Sequence, residues 1–234
     1  MSSIVDNLQA VHRTIEDAAR AVSRDPHEVT LVAVSKTFEA GAVLCAAEAG
    51  QRAFGENYLQ EALPKIAAVR AAGPEYMLEW HFIGPIQSNK TRPIAETFDW
   101  VHSVEREKIA RRLSEQRPAD LPALNICLQV NISGEASKSG ALVADVVDIA
   151  RAISTLPRVT LRGLMAIPEP ATSVAVQRAA FRQLRVLLEQ CRAAGLAMDT
   201  LSMGMSGDLP AAVAEGATLV RVGSAIFGNR SYAT

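Results

Sequence analysis

Lys36 follows directly after a run of β-branched and small residues, Leu31-Val32-Ala33-Val34-Ser35. Such a run predicts a strand that is buried on both faces. At the edge of a core a lysine loses its proton more readily, because burial penalises the charged ammonium. The neutral amine can condense with an aldehyde. The alternative is a lysine that extends into solvent, which is the commoner fate of this residue at the end of a strand.

Two loops near the end of the sequence combine glycine with serine and could bind an anion. One runs from Met203 to Asp208 and the other from Gly223 to Gly228, and a predicted strand precedes each of them. Backbone N–H groups exposed by glycine, a serine hydroxyl and a following helix all favour a phosphate. The alternative is a pair of tight turns in which Ser206 caps a helix. A phosphate site opposite an amine suits a compound that carries both a phosphate and an aldehyde.

Arg221 lies within the last predicted strand, between Val220 and Val222. If both valines face outward, the guanidinium points inward and needs an acceptor. That acceptor is either a carboxylate, such as Glu79 or Glu56, or the nitrogen of a heteroaromatic ring.

Two further polar residues lie at or near the ends of predicted strands, Asn57 and His81. Asparagine in this position more often closes a turn than binds a ligand. A histidine between apolar neighbours is more often a hydrogen-bonded core residue. Both nevertheless remain candidates for contact with a ligand.

The apolar pattern predicts an amphipathic N-terminal helix over residues 3–24, followed by eight strands that alternate with helices. The predicted strands are 30–35, 52–55, 79–83, 99–102, 124–130, 160–163, 200–203 and 218–222. The predicted helices are 40–49, 57–71, 88–96, 104–116, 141–154, 173–194 and 208–215.

Strands joined by crossover helices form a parallel sheet that is covered on both faces. Eight such units indicate an α/β protein with a single (β/α)8 TIM barrel and an extra N-terminal helix. A barrel of this kind has its site at the carboxyl ends of the strands, often with a phosphate pocket after strands seven and eight. A doubly wound sheet is the alternative, but no G-x-G-x-x-G follows a strand. Without a linker or repeat, residues 1–234 are expected to form one domain.

The composition is that of a globular protein, with 49% hydrophobic residues, 21% charged residues and a net charge of −1. Mixed charges give no electrostatic argument for nucleic acid or an anionic membrane as partner. Cys45, Cys127 and Cys191 are scattered through apolar segments, so we expect reduced thiols and no metal site. Since no apolar run could span a bilayer and the N-terminus does not resemble a signal peptide, the expected location is the cytoplasm.

Seven sequence blocks occur in the order found in one known family and extend over nearly the whole chain. Together they closely resemble the pyridoxal phosphate homeostasis protein family. The blocks are Ala33-Val34-Ser35-Lys36-Thr37, Phe54-Gly55-Glu56-Asn57-Tyr58, the segment from Trp80 to Lys90, Ser137-Lys138-Ser139-Gly140, Arg162-Gly163-Leu164-Met165, Met203-Gly204-Met205-Ser206 and the segment from Arg221 to Gly228.

The resemblance implies a barrel like the N-terminal domain of alanine racemase, known as the fold type III barrel, without the C-terminal β-domain. It also implies that pyridoxal 5′-phosphate (PLP) binds through a lysine Schiff base. The residue roles that it implies are Lys36 as that lysine, Ser206 and Ser224 with nearby amides such as that of Gly223 for the phosphate, Arg221 for the pyridine nitrogen, Asn57 and His81 for the ring pocket, and Lys138 for cofactor transfer. The chain departs from the family pattern at two places. Gly207 stands where many relatives carry another residue, and the C-terminal tail lacks the lysines that some relatives have.

An arginine at the pyridine nitrogen leaves that nitrogen unprotonated, and the ring is then a poor electron sink. Resemblance to alanine racemase places a second acid–base group, a tyrosine, on a separate domain. This sequence has no tyrosine in a motif that matches the one around that tyrosine; its tyrosines are Tyr58, Tyr76 and Tyr232. The sequence ends at Thr234. We therefore expect a monomeric protein that carries or buffers PLP, maintains vitamin B6 homeostasis and supplies apo-enzymes. The alternatives are a weak amino-acid racemase or lyase, and a Schiff-base aldolase acting on a phosphosugar.

Overall fold

The computed structural model describes residues 3–73, 77–134 and 139–228. Within these residues, eight parallel strands close into a barrel. The strands are β1 (Thr30–Val34), β2 (Ala53–Glu56), β3 (Glu79–Phe82), β4 (Trp100–Val104), β5 (Leu124–Asn131), β7 (Val159–Met165), β8 (Thr200–Ser202) and β9 (Leu219–Val222). A short strand, β6 (Ala141–Leu142), pairs with β5 beside the ring.

Pairing between the first and last strands closes the barrel. Each of β1 to β4 pairs with the next strand, β5 pairs with β7, and β7, β8 and β9 continue the ring in that order. β9 pairs in parallel with β1, with Arg221 opposite Val32. The predicted (β/α)8 barrel is therefore confirmed. All the carboxyl ends of these strands lie at one rim, where the sequence placed the candidate site.

Helices cover the outside of the ring. They are α1 (Ile4–Arg20), α2 (Ala40–Glu48), α3 (Leu59–Ala72), α4 (Thr91–Thr97), α5 (Glu107–Gln116), α6 (Val146–Ser154), α7 (Val174–Ala193), α8 (Leu209–Ala214) and α9 (Ser224–Phe227). None of the helices described here is both long and apolar enough to cross a membrane.

The extra N-terminal helix, α1, packs on α8 and α9, the two helices that follow the last strands. Its start is fixed by a capping box, in which Asp6 N–H donates to the Ser3 hydroxyl and Ser3 N–H donates to the Asp6 carboxylate. Its inward face buries Leu8, Val11 and Ile15. The helix therefore supports the part of the barrel that carries the two glycine–serine loops.

The helix predicted over 141–154 begins later than expected, at Val146. Ala141 pairs instead with Val130 of β5, and a short 3-10 turn, Val143–Asp145, comes before the helix. The pairing is possible because Gly140 has a φ of 128°, which residues with a side chain rarely adopt. The predicted start was wrong because a helical pattern does not show that its first residues pair with a strand.

Gly163 on β7 lies against the backbone of β8. A Cβ atom at this position would lie 1.8 Å from the Thr200 carbonyl oxygen. We therefore expect Gly163→Ala to lower the free energy of unfolding by about 1–3 kcal/mol, because the strands must separate to admit the methyl group. Urea denaturation measures the change. In Gly41→Ala the new Cβ meets open space in α2, so this control should be as stable as the native protein or more so.

Candidate functional site

A cavity of about 650 Å³ opens at the carboxyl ends of the barrel strands. It is shaped by residues that follow β1, β2, β3, β7, β8 and β9. The lining residues are Val34, Lys36, Phe38, Asn57, Ile83, Ile167, Met205, Ser206, Gly207, Arg221, Gly223, Ser224 and Gly228. The wall thus combines an amine, a guanidinium, an amide and hydroxyls with apolar side chains, as is usual for a small-molecule site.

Most of the residues predicted from sequence meet at this cavity. Lys36 and Arg221 line it together with Asn57, Ser206, Gly223 and Ser224. The described lining does not include His81. Lys138 lies outside the described residues. The amine at the end of the first strand and the loops after the last two strands therefore converge on one space, as the sequence predicted.

Three buried hydrogen bonds fix the residue that precedes Lys36. The Ser35 hydroxyl donates to Glu56 Oε1 over 2.6 Å. Lys65 Nζ donates to the Ser35 carbonyl over 2.7 Å and to Glu56 Oε1 over 2.7 Å. Only 6% of the Lys65 side chain and none of the Glu56 side chain is exposed. Lys36 consequently extends from a rigid backbone.

Burial raises the pKa of the Glu56 carboxyl, while the ammonium of Lys65 acts in the opposite direction. The second oxygen of Glu56, Oε2, is buried and has no hydrogen-bond partner among the described residues. The carboxylate is therefore held mainly by Lys65 and Ser35. Sequence analysis missed Lys65, because a lysine within a helical pattern is expected to face solvent.

Asn57 brings an unsatisfied acceptor to the cavity. Its side-chain oxygen, Oδ1, is buried and has no hydrogen-bond partner among the described residues. The backbone of Asn57 is held by close packing, since a Cβ at Gly84 would lie 2.0 Å from the Asn57 carbonyl oxygen. A buried polar atom without a partner costs free energy, so Oδ1 is suited to accept a hydrogen bond from a ligand.

Ser206 and Ser224 follow β8 and β9, which are neighbouring strands of the barrel, and both line the cavity. Both are exposed at its mouth, with Gly207 and Gly223 beside them. The loop after β8 is shaped by a φ of 98° at Gly204 and by Met205 N–H, which donates to Asp208 Oδ1 over 2.6 Å. Two hydroxyls and adjacent backbone amides at one rim are the groups that bind a phosphate.

Arg221 is buried and reaches the cavity from inside the barrel. Its Nη1 donates to the Ser202 hydroxyl over 2.6 Å and its Nη2 donates to the Ala166 carbonyl over 3.0 Å. Burial lowers the pKa of Arg221 to about 10. Neither of the carboxylates considered from sequence accepts from it, since Glu56 bonds to Lys65 and Glu79 bonds to His81. The guanidinium retains donors for a ligand, because an arginine has five N–H groups.

His81 lies inside the barrel and is fully buried. Its Nδ1 is 2.9 Å from His102 Nε2, and its Nε2 is 2.8 Å from Glu79 Oε1. Its ring stacks on Trp100. It is thus a hydrogen-bonded core histidine, and contact between His81 and a bound ring stays a prediction. Sequence analysis did not single out His102, although alternation with Trp100 along β4 signals that it also points inward.

The family described as "Alanine racemase, N-terminal domain" matches residues 7–231 of this chain. The pyridoxal phosphate homeostasis protein of Pseudomonas aeruginosa is 60% identical over 232 residues, which are 99% of this chain and 98% of that protein. The chain belongs to the pyridoxal phosphate homeostasis protein family. The resemblance seen in the seven sequence blocks is therefore confirmed over the whole fold.

Solved structures agree with this assignment. PipY of Synechococcus elongatus, determined with PLP bound, has a TM-score of 0.83 and 38% identity, with coverage of 97% of this chain and 100% of that chain. Alanine racemase of Corynebacterium glutamicum has a TM-score of 0.67 at 19% identity and covers 98% of this chain and 62% of its own. The second likeness concerns the barrel alone. A member of the homeostasis family thus shares its fold with an amino-acid racemase.

Proposed function

We propose that this protein binds pyridoxal 5′-phosphate, carries or buffers it, and so maintains vitamin B6 homeostasis. The observation that carries the proposal is the convergence of Lys36, Arg221 and the two serines, Ser206 and Ser224, on one cavity. An amine, a cation and hydroxyls match the aldehyde, ring nitrogen and phosphate of PLP. The name of the Pseudomonas relative and the PLP bound to PipY support the same ligand.

Each part of the site has a defined task in this proposal. PLP supplies an aldehyde that condenses with a lysine amine and releases water. Lys36 offers that amine from the rigid end of β1. Arg221 donates toward the ring nitrogen, and Asn57 accepts a hydrogen bond through its unsatisfied Oδ1. Since a guanidinium stays protonated, the nitrogen facing it stays unprotonated and the ring withdraws electrons weakly.

The cavity wall favours a carrier over a catalyst. Among the described lining residues, Lys36 and Arg221 are the titratable groups, and there is no carboxylate, histidine, tyrosine or cysteine. Racemisation needs an acid or base on each face of the ring. Weak racemase or lyase activity is the second candidate, because the barrel is shared with alanine racemase.

Our proposal also includes a single domain over 1–234, a monomer in the cytoplasm, apo-enzymes as recipients and Lys138 as an aid to transfer.

Transfer to an apo-enzyme tests the carrier role. The PLP-loaded protein, mixed with the apo form of a PLP-dependent enzyme, should lose its visible absorbance while the enzyme gains activity. Loaded protein that has been reduced with borohydride is the control, because its cofactor can no longer leave. Retention of PLP together with steady racemisation of an amino acid would instead support the catalytic candidate.

The two serines should distinguish PLP from pyridoxal, which lacks the phosphate. We expect Ser206→Ala and Ser224→Ala each to weaken PLP binding about 10- to 100-fold, because a hydrogen bond to a charged group contributes about 1.5–3 kcal/mol. Affinity for pyridoxal should stay the same, and spectroscopic titration measures both. Ser154→Ala, an exposed position at the end of α6, is the control. An equal loss of both ligands would place the phosphate elsewhere.

A further inference from the structure

A continuous chain of hydrogen bonds crosses the barrel interior from Arg221 to Glu79. Arg221 Nη1 lies 2.6 Å from Ser202 Oγ, which lies 2.7 Å from His102 Nδ1. His102 Nε2 lies 2.9 Å from His81 Nδ1, and His81 Nε2 lies 2.8 Å from Glu79 Oε1. The four residues Arg221, Ser202, His102 and His81 are buried. Of these hydrogen-bonded residues the proposed function uses Arg221 alone, so it gives no role to the other four.

The chain joins the two ends of the barrel. Arg221 lies near the carboxyl end of β9 and lines the candidate PLP cavity. Glu79 is the first residue of β3 and therefore lies at the opposite end. Its side chain is 47% exposed and lines a separate cavity of about 450 Å³. A change at Glu79 therefore leaves the walls of the PLP cavity untouched.

The donors and acceptors of these five residues fix the direction in which hydrogen bonds are donated along the chain, from Arg221 to Glu79. A guanidinium only donates, so the Ser202 oxygen accepts from Arg221, and a carboxylate only accepts, so the bond at Glu79 is donated by His81. With neutral rings between these two ends, the Ser202 O–H donates to His102 Nδ1. His102 then donates through Nε2–H to His81 Nδ1. His81 in turn donates through Nε2–H to Glu79. Both histidines are neutral in this arrangement, and both carry their proton on Nε2.

The charges of the neighbouring groups agree with this direction. Burial, together with the positive charge of Arg221, holds the pKa of His102 well below its usual value, so that this ring is neutral. The hydrogen bond from His81 lowers the pKa of Glu79, which favours the carboxylate as the final acceptor. A cation therefore stands at one end and an anion at the other.

This polar chain replaces the usual filling of a barrel. Barrel interiors are normally packed with branched apolar side chains. Here a small apolar cluster shares the interior with the chain; its members are Val32, Ala53, Trp100, Cys127, Met165 and Leu219. A buried cation is costly unless it is compensated. Aligned hydrogen bonds strengthen one another at low dielectric, so the chain links Arg221 to the carboxylate of Glu79.

We propose that Ser202, His102, His81 and Glu79 form a positioning chain that holds the Arg221 guanidinium as a donor toward the ring-binding end of the PLP cavity. Contact between Arg221 and a ring nitrogen rests on the proposed function. The direction of the chain is a property of the ligand-free protein and does not depend on it. The chain is not a route for substrate, and Arg221 is the member of it that lines the PLP cavity.

The first test uses nitrogen NMR of the ligand-free protein. We expect both His81 and His102 as neutral rings protonated at Nε2, with a scalar coupling across the N–H···N bond between them. In Glu79→Ala the His81 Nε2–H signal should shift or be lost to exchange, because its acceptor is gone. A proton on Nδ1 of His102, or no coupling between the two rings, would overturn the proposed direction.

The second test compares PLP with an analogue that has carbon in place of the ring nitrogen. The native protein should prefer PLP about 10-fold or more, the effect of one hydrogen bond to a charged group. Ser202→Ala removes the acceptor of Arg221 and should reduce that preference at least about threefold. Ser114→Ala, another buried serine, whose hydroxyl bonds to Pro157, is the matched control and should keep it.

Glu79→Gln provides the milder variant if Ser202→Ala fails to fold. It keeps an acceptor oxygen for His81 but removes the charge, so the preference for PLP should fall by a smaller factor. Glu28→Gln, which also removes an exposed carboxylate, is its control. An unchanged preference in both chain variants overturns the positioning role. Absence of PLP binding to the native protein would instead overturn the proposed function, and the NMR result would still decide the direction of the chain.

Discussion

Lys36→Ala is expected to abolish covalent capture of PLP. Lys36 is the amine at the cavity wall, and it extends from a strand end that Ser35, Glu56 and Lys65 hold in place. Without that amine the described lining offers the aldehyde no lysine with which to condense. Borohydride reduction of the PLP-treated protein, followed by peptide mass spectrometry, should find the pyridoxyl group on Lys36 in the native protein and only background labelling in the variant.

The variant should still bind PLP weakly, because Arg221, Ser206 and Ser224 remain. Its absorption spectrum should therefore resemble that of free PLP, without the band of the covalently bound form. Lys108→Ala, on helix α5, is the control and should be labelled on Lys36 like the native protein. Labelling of a different lysine in the native protein would contradict the assignment, and Lys65 would be the first to examine because it lies behind the same strand end.

The barrel was predictable because its signals are local. Each short apolar run followed by an amphipathic helix marks one unit, and eight units close a ring. The position of Lys36 after β1 and of the loops beside Ser206 and Ser224 followed from the same pattern, since the carboxyl ends of parallel strands share a rim. Most of the cavity wall is therefore encoded in local sequence patterns.

The interior chain was not predictable in the same way, because it depends on how strands are aligned with one another. His81 is opposite Trp100 in the pairing of β3 with β4, and the pairing of β4 with β5 shifts between Val101 and Val104. A register shift of this kind changes which side chains contact one another, and the spacing of apolar residues does not reveal it. For the same reason the sequence offered Glu79 and Glu56 as direct partners of Arg221, whereas the structure gives it Ser202.

The Glu56–Lys65 pair shows a second limit of sequence patterns. Lys65 lies on α3 but is buried, and its ammonium bonds to Glu56 and to the Ser35 carbonyl. Nothing in the spacing of apolar residues distinguishes it from a solvated lysine. Its role becomes visible only when α3 is packed on β1 and β2. The pair therefore connects the stability of the barrel with the position of Lys36.

We expect Lys65→Met to lower the free energy of unfolding by about 3–5 kcal/mol, the cost of leaving a buried charge without its partner. Urea denaturation measures it. The double variant Lys65→Met with Glu56→Gln should recover much of the loss, because no charge is then stranded. Arg20→Ala is the control: it breaks a pair with Glu16 whose side chains are 66% and 44% exposed, and such a pair contributes only about 0–1 kcal/mol.

The loss in Lys65→Met should depend on pH. Burial already raises the pKa of Glu56, and removing the ammonium that opposes this shift raises it further. The folded variant then holds a proton on Glu56 that the unfolded chain releases at the ordinary carboxyl pKa, so its stability falls as pH rises through the raised pKa and returns on acidification. A destabilisation of the same size at acidic and neutral pH would show that Glu56 is not the stranded charge.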